Sequence, residues 1–199
     1  MTSVAAGRAL RVAMSAAALA ALLTPLHGCA PAVIAVGAAE VAIIAGDPRT
    51  TGTQLDDQSI EFKVATEAGS RYANDVHLNV TSYNGVVLLT GEVPSTVIQD
   101  EITKLAKAQD KVRTVHNEMV IGPVTDLGAR TNDTYITSKV KTRMLEDDKF
   151  KAIYVKVVTE RSVVYLMGVV PKPLGDAAAQ TAATTEGVAR VVKVFEYKS

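Results

Sequence analysis

The chain has 199 residues, with 21 basic and 21 acidic side chains and a single cysteine. Formal neutrality lacks the basic surplus of a general nucleic-acid binder, and one cysteine excludes an internal disulfide. The length suits one medium domain or two small ones, stabilised by apolar burial alone.

Residues 1–28 read as an export signal. Arg8 and Arg11 supply a positive start, no acid precedes Glu40, and residues 12–23 form an apolar run of the length such signals use. A membrane-spanning helix takes about 20 apolar residues, and Pro25 ends this run well short of that. Leu26-His27-Gly28-Cys29 resembles a bacterial lipobox: a large apolar residue, a variable one, a small one, then cysteine. In such sequences the thiol is alkylated with diacylglycerol, the signal is cut before the cysteine, and the new amine is acylated, for example with palmitate. Cys29 is therefore the expected lipid anchor. His27 departs from the small or β-branched residues usual at its position, and the competing reading is an ordinary signal cut elsewhere. Ala30 follows the cysteine in place of the aspartate that retains lipoproteins at the inner membrane of enteric bacteria. The expected location is thus the outer membrane, lipid-anchored and facing the periplasm.

Residues 29–56 read as a lipidated tether, with Pro31 and Gly37 arguing against a spanning helix. Removing the signal leaves a net charge of about −2, unevenly spread. Residues 46–130 hold 8 Lys/Arg against 12 Asp/Glu, and residues 132–199 hold 11 against 8. That asymmetry points to halves that face different partners.

Beyond the tether the chain repeats itself. Val76-His77-Leu78-Asn79-Val80-Thr81 matches Ile153-Tyr154-Val155-Lys156-Val157-Val158. Val86 to Gly91 matches Val163 to Gly168, and Pro94 matches Pro171, all at an offset of 77 residues. The flanking apolar positions shift to 76, as short loop changes would produce. A repeat this long is a duplicated small domain rather than a solenoid unit.

Each copy has readable periods. Ile60, Val64 and Ala68, like Ile136, Val140 and Met144, recur every four residues and bury one helix face. Asp56 or Asp57 is the expected cap of the first helix, and Asn132 or Asp133 of the second. Alternating Val76, Leu78 and Val80 predict a strand, and Asn84-Gly85 predicts a two-residue hairpin. Glu160-Arg161-Ser162 stands there in the second copy and predicts a weaker turn with looser register. Ser95 is the expected cap of a helix carrying Val97, Ile102, Leu105 and Ala106. Its counterpart at residues 176–185 is nearly all alanine and threonine, so it packs either closely or weakly. Third strands are expected at residues 112–121 and 188–197. The predicted fold class is α+β: two tandem αββαβ units, each a three-stranded mixed sheet packed on two helices. The units are placed at residues 57–122 and 133–199, with a linker at 123–132. The strand–helix–strand step should cross over right-handed, and units this small should lean on each other.

These residues resemble the BON domain of bacterial periplasmic and outer-membrane proteins. Leu89-Thr90-Gly91 and Leu166-Met167-Gly168 fit its apolar-x-Gly step, and Glu186-Gly187-Val188 fits its second glycine. Asp110-Lys111-Val112 departs from that second pattern. The lipobox, the segment from Asp47 to Gln54 and the two copies together resemble the dual-BON outer-membrane lipoproteins. The resemblance implies a non-enzymatic protein without cofactor that binds anionic phospholipid through its second BON domain. It also implies a role in outer-membrane integrity and envelope stress resistance, with outer-membrane or division-site proteins as further partners. The family's lipid-contact residues carry over as Gly128, Tyr135, Lys139, Val140, Lys141 and Leu145, with Tyr135 where a close relative has tryptophan. The alternative is a protein-interaction or chaperone-like module, as in soluble, osmotically induced BON proteins.

On a helical wheel the face opposite Ile136, Val140 and Met144 carries Tyr135, Ser138, Thr142 and Leu145, flanked by Lys139 and Lys141. An exposed aromatic beside lysines suits an anionic lipid interface. At an offset of 76 the first copy has Ser59, Ala65, Glu67 and Gly69 in place of Tyr135, Lys141, Arg143 and Leu145, and is expected to lack that face. The competing reading is that Tyr135 and Leu145 pack against the other copy. His77 and His116 stand alone, without paired histidine or cysteine spacing, so no metal site is expected. No catalytic motif is present, and Asp56-Asp57 and Asp147-Asp148 read as helix-end and loop charges. Neither an enzymatic role nor a nucleic-acid partner is expected.

Overall fold

The computed structural model describes residues 47–72, 75–150 and 154–198. The signal, Cys29 and the tether up to residue 46 lie outside the described residues. The first copy runs α1 (Thr51–Tyr72), β1 (His77–Tyr83), β2 (Val86–Val93), α2 (Thr96–Lys107), β3 (Thr114–Asn117) and β4 (Val120–Ile121). The second runs α3 (Leu127–Glu146), a 3₁₀ turn at Asp148–Phe150, β5 (Lys156–Glu160), β6 (Val163–Pro171), α4 (Lys172–Ala183) and β7 (Arg190–Lys198). Both are αββαβ, as the sequence predicts. In each, the middle strand pairs antiparallel with the first and parallel with the last. The expected third strand of the first copy is broken in two, because Met119 turns into the core and its amide is taken by the Asn117 side chain.

The central strands explain why the sequence lacks clean alternation there. All eight residues of β2 are buried. Val87, Leu89 and Val93 pack under α1 and α2 with Ile60, Val64 and Ile102. Val86 and Leu88 face the other way and join Tyr83 against Tyr165, Met167 and Val194 of the second copy. The two sheets thus meet face to face, with each pair of helices outside. A strand covered on both faces reads as a continuous apolar run. Arg49 closes one end of the interface. Its guanidinium lies 3.8 Å over the Tyr83 ring, which stacks on Tyr154 at 5.9 Å.

Both hairpins are two-residue turns with left-handed backbone: Asn84-Gly85 in the first copy and Arg161-Ser162 in the second. The second turn is therefore as tight as the first, contrary to the expectation of a looser register. The reason lies in Asp57 and Asp133, which are not helix caps. The helices begin earlier, at Thr51 and at Leu127, and Asp126 caps α3 by accepting from Ala129 N at 3.0 Å. Asp57 and Asp133 sit buried in the second turn or later and reach across to the hairpins. Asp57 accepts from Asn84 N (2.7 Å) and Gly85 N (2.9 Å), and Asp133 accepts from Arg161 N and Ser162 N (both 2.8 Å). Anchored this way, non-glycine residues hold conformations they normally avoid.

Gly91 is required by a close approach. It sits at φ +113°, and a Cβ there would lie 1.9 Å from His77 O. The alanine-rich helix α4 packs closely, with Ala178 and Ala182 buried and Gly175 against Phe195 and Tyr197. Lys111 takes the left-handed conformation (φ 68°) that Gly187 takes in the second copy (φ 92°). The departure from the glycine pattern is thus one of residue type, not backbone.

Candidate functional site

Helix α3 presents the face singled out from sequence. Ile136 and Met144 point into the second core, and so does Val140, which is 0% exposed. Val140 therefore does not lie on a lipid-facing surface. Its four-residue spacing with Ile136 and Met144 places it in the stripe that holds the helix down, and it is removed from the contact set. Tyr135 and Leu145 are 61% and 78% exposed, so neither packs against the first copy. Gly128 and Lys141 are exposed at the helix surface. Lys139 is half-buried, with its ammonium 4.6 Å from the centre of the Tyr135 ring and 3.5 Å from Glu186. Among the described residues no carboxylate pairs with Lys141. Arg143 is turned away, donating to Thr181 O (3.0 Å) and Thr185 Oγ1 (2.8 Å), and so pins α3 to the end of α4.

Two features of this face escape the sequence reading. Leu127, 77% exposed, falls at nearly the same helical angle as Leu145, about 27 Å further along the axis. The expected helix start after residue 132 concealed it. Three of the hydroxyls between them are also bonded back to the helix. Thr131, Thr134 and Ser138 donate to the carbonyls of Leu127, Arg130 and Thr134 at 2.8, 3.0 and 3.0 Å. Satisfied within the helix, they need less from water, and the face is less polar than its letters imply.

The first copy is not devoid of such a surface. Leu55 and Phe62 are exposed seven residues apart on α1, where the second copy has Thr131 and Ser138. What α1 lacks is the pair of flanking lysines, since only Lys63 remains and Glu67 is bonded to Arg71. The copies therefore differ in charge more than in apolar exposure.

His77 is also not alone. At the interface it faces Glu92 and Glu160, three residues from three strands that no local spacing connects. Burial works to raise the Glu92 carboxyl, but hydrogen bonds from Thr125 and His77 outweigh it and hold the group below the usual carboxylate range. Burial pushes Glu160 up, against an opposing bond from Asn79.

Comparison with known proteins agrees with the duplicated fold. The BON-domain profile matches residues 56–123 and 132–199. The chain is 42% identical over 174 residues to the outer membrane lipoprotein DolP of Haemophilus influenzae, covering 86% of this chain and 90% of that one. It is 35% identical to the 21 kDa hemolysin of Actinobacillus pleuropneumoniae, over 76% of this chain and 79% of the relative. It is 30% identical to the osmotically-inducible protein Y of Escherichia coli, over 70% and 72%. The relationship to the first places the protein at the outer membrane, lipid-anchored, as the N-terminal sequence leads one to expect. With two matched copies covering most of its length, the chain belongs to the BON-domain family.

Proposed function

We propose that this is a non-enzymatic lipoprotein facing the periplasm, anchored through Cys29, whose second BON domain docks on anionic phospholipid and thereby supports outer-membrane integrity under envelope stress. The observation that carries the reading is the outer face of α3. Leu127, Tyr135 and Leu145 stand exposed on it, the hydroxyls of Thr131, Thr134 and Ser138 are satisfied within the helix, and Lys139 and Lys141 flank it. Each lysine near an anionic surface contributes about 1 kcal/mol, so charge alone gives a weak, salt-sensitive contact. Inserting Tyr135 and Leu145 adds roughly 1.5–3 kcal/mol each if they are fully buried. The covalent anchor keeps the face near a bilayer, so a weak contact suffices.

The test is binding of the lipoprotein to vesicles with and without phosphatidylglycerol. The anionic vesicles should bind it more tightly, and the Tyr135→Ala, Leu145→Ala double variant should lose roughly a hundredfold in partitioning. Equal binding to neutral vesicles, or an unaffected double variant, sinks the proposal. A second reading, a protein-interaction module, draws on Leu55 and Phe62, whose exposure on α1 without a flanking lysine pair suits a protein partner. It predicts site-specific crosslinking from position 62 to one envelope protein.

A further inference from the structure

We propose that His77, Glu92 and Glu160 form a site for a divalent transition-metal ion, of the Zn²⁺ class, that ties the two BON domains together. His77 and Glu92 belong to β1 and β2 of the first domain, and Glu160 to β5 of the second. One ligand atom from each lies within 4.8 Å of the others. His77 Nδ1 is 3.0 Å from Glu92 Oε2 and 3.7 Å from Glu160 Oε1.

The carboxylates are held as metal ligands are held. Glu92 is 0% exposed. Its Oε2 accepts from Thr125 N (3.1 Å) and Thr125 Oγ1 (3.0 Å) and also faces His77 Nδ1 (3.0 Å), while Oε1, on the Arg161 side, is buried without a hydrogen-bond partner. Leaving a carboxylate oxygen buried and unsatisfied is costly, and a cation is the simplest way to satisfy it. Glu160 Oε2 accepts from Asn79 Nδ2 at 2.6 Å, which leaves Oε1 toward His77. In Glu160 the outer partner thus fixes one oxygen and presents the other, the usual support of a metal ligand, while in Glu92 Thr125 fixes the oxygen that faces His77. Arg161 is the resident competitor, 3.6 Å from Glu92 Oε1. Its side chain is half-exposed and is free to swing into solvent as an ion enters.

The duplication shows that the fold does not require this chemistry. At the offset of 77, His77, Glu92 and Glu160 correspond to Tyr154, Val169 and Tyr83. At that other end of the interface the same positions hold two stacked tyrosines and a valine. A sheet that packs well with apolar residues there has two acids and a histidine here. One imidazole nitrogen with two carboxylate oxygens suits Zn²⁺, which takes such ligands at about 2.0–2.2 Å, and suits Ca²⁺ or Mg²⁺ poorly. The cluster borders a cleft of about 520 Å³ lined by His77, Asn79, Arg130, Asp133 and Glu160, which gives solvent access for a fourth ligand.

The experiment uses the full lipoprotein in detergent, stripped with chelator and titrated with ZnCl₂ by calorimetry. One ion per chain is expected, with micromolar or tighter affinity. A hundredfold excess over Kd should raise Tm by about 5 °C or more. Co²⁺ should give visible d–d absorption that Zn²⁺ abolishes. Glu160→Gln, which keeps an acceptor for Asn79, and His77→Gln should each weaken binding at least tenfold, while His116→Gln should not. Circular dichroism in chelator checks that the variants are folded. Should they unfold, the ring-nitrogen NMR signal of His77 in the wild type is read instead, and it should shift on adding one equivalent of Zn²⁺. Absence of saturable one-to-one binding, undiminished binding by a folded Glu160→Gln or His77→Gln variant, or an unmoved His77 signal overturns the proposal.

Discussion

Replacing Asp133 with alanine tests whether a helix carboxylate holds the second hairpin. Its two oxygens accept from Arg161 N and Ser162 N at 2.8 Å. Hydrogen bonds to a charged group contribute about 1.5–3 kcal/mol each. Arg161 is exposed, so water replaces part of what is lost there, and the expected cost is about 3 kcal/mol. Asp57 does more, since it also accepts from Ser82 Oγ (2.6 Å) and pairs with the largely buried Arg49 (2.7 Å). Removing one partner of a buried pair costs about 3–5 kcal/mol, so Asp57→Ala should cost about 5 kcal/mol. For a unit of this size, 1 kcal/mol moves Tm by about 2–4 °C, so Asp133→Ala should lower it by roughly 6–12 °C. Asp133→Asn keeps one acceptor but turns an amide toward the other N–H, and should recover at most half. Urea unfolding followed by circular dichroism gives the free energies directly. A change under about 1 kcal/mol for Asp133→Ala, or a smaller loss for Asp57→Ala than for Asp133→Ala, would refute the tie.

Other expectations follow from the same geometry. Ser162 holds φ 61°, so Ser162→Gly should stabilise the protein by about 1 kcal/mol, read from the same urea curves. Gly91→Ala must displace His77 O, 1.9 Å from the new Cβ, and should cost more than about 3 kcal/mol or abolish folding, read as loss of the cooperative transition. Burial works to raise the Asp47 carboxyl, but its bonds to Arg49 prevail and hold it below its ordinary value. Its contribution is therefore complete above the unfolded value of about 3.9 and lost as pH falls through the folded one. Arg49→Met should flatten the stability profile of the protein between about pH 5 and pH 2.

The legible parts of the fold were those written in local spacing. Four-residue apolar steps mark α1 and α3, Asn84-Gly85 marks a hairpin, and the 77-residue offset marks the duplication. Helix starts were misread because the first apolar periodic residue is a poor guide to where backbone hydrogen bonding begins. Residues 51–56 and 127–132 are helical without an apolar face to announce it. Asp57 and Asp133 look like caps by residue type, yet their role is set by a hairpin some twenty-five residues further on. The outer face of α3 was largely legible, because surface chemistry on one helix is a matter of angle. Val140, carried over as a lipid contact by the resemblance, lies instead in the buried stripe that its spacing with Ile136 and Met144 marks.

The interface was the illegible part, though Glu92 offers a signal that could have exposed it. A polar alternate residue in a strand normally reads as solvent-facing, and His77 and Asn79 read that way on β1. They face the second copy instead, because the sheets meet on the side the helices leave open. Glu92, however, interrupts a strand that is otherwise Val-Val-Leu-Leu-Thr-Gly-Val, and its counterpart is Val169. An acid in a strand apolar enough to be covered on both faces must be buried with a partner, which here is His77, its neighbour across the β1–β2 pair. Differences between the repeats on buried strands thus point to Glu92 against Val169, as differences on the helix face point to Tyr135 and Leu145. The two copies share a core and have diverged at two places, the outer face of α3 and one end of the sheet interface. Divergence at the first separates a surface flanked by two lysines from one that keeps only Lys63. Divergence at the second puts a cation-seeking cluster where its counterpart stacks aromatics, so docking of the domains should respond to ions at one end only.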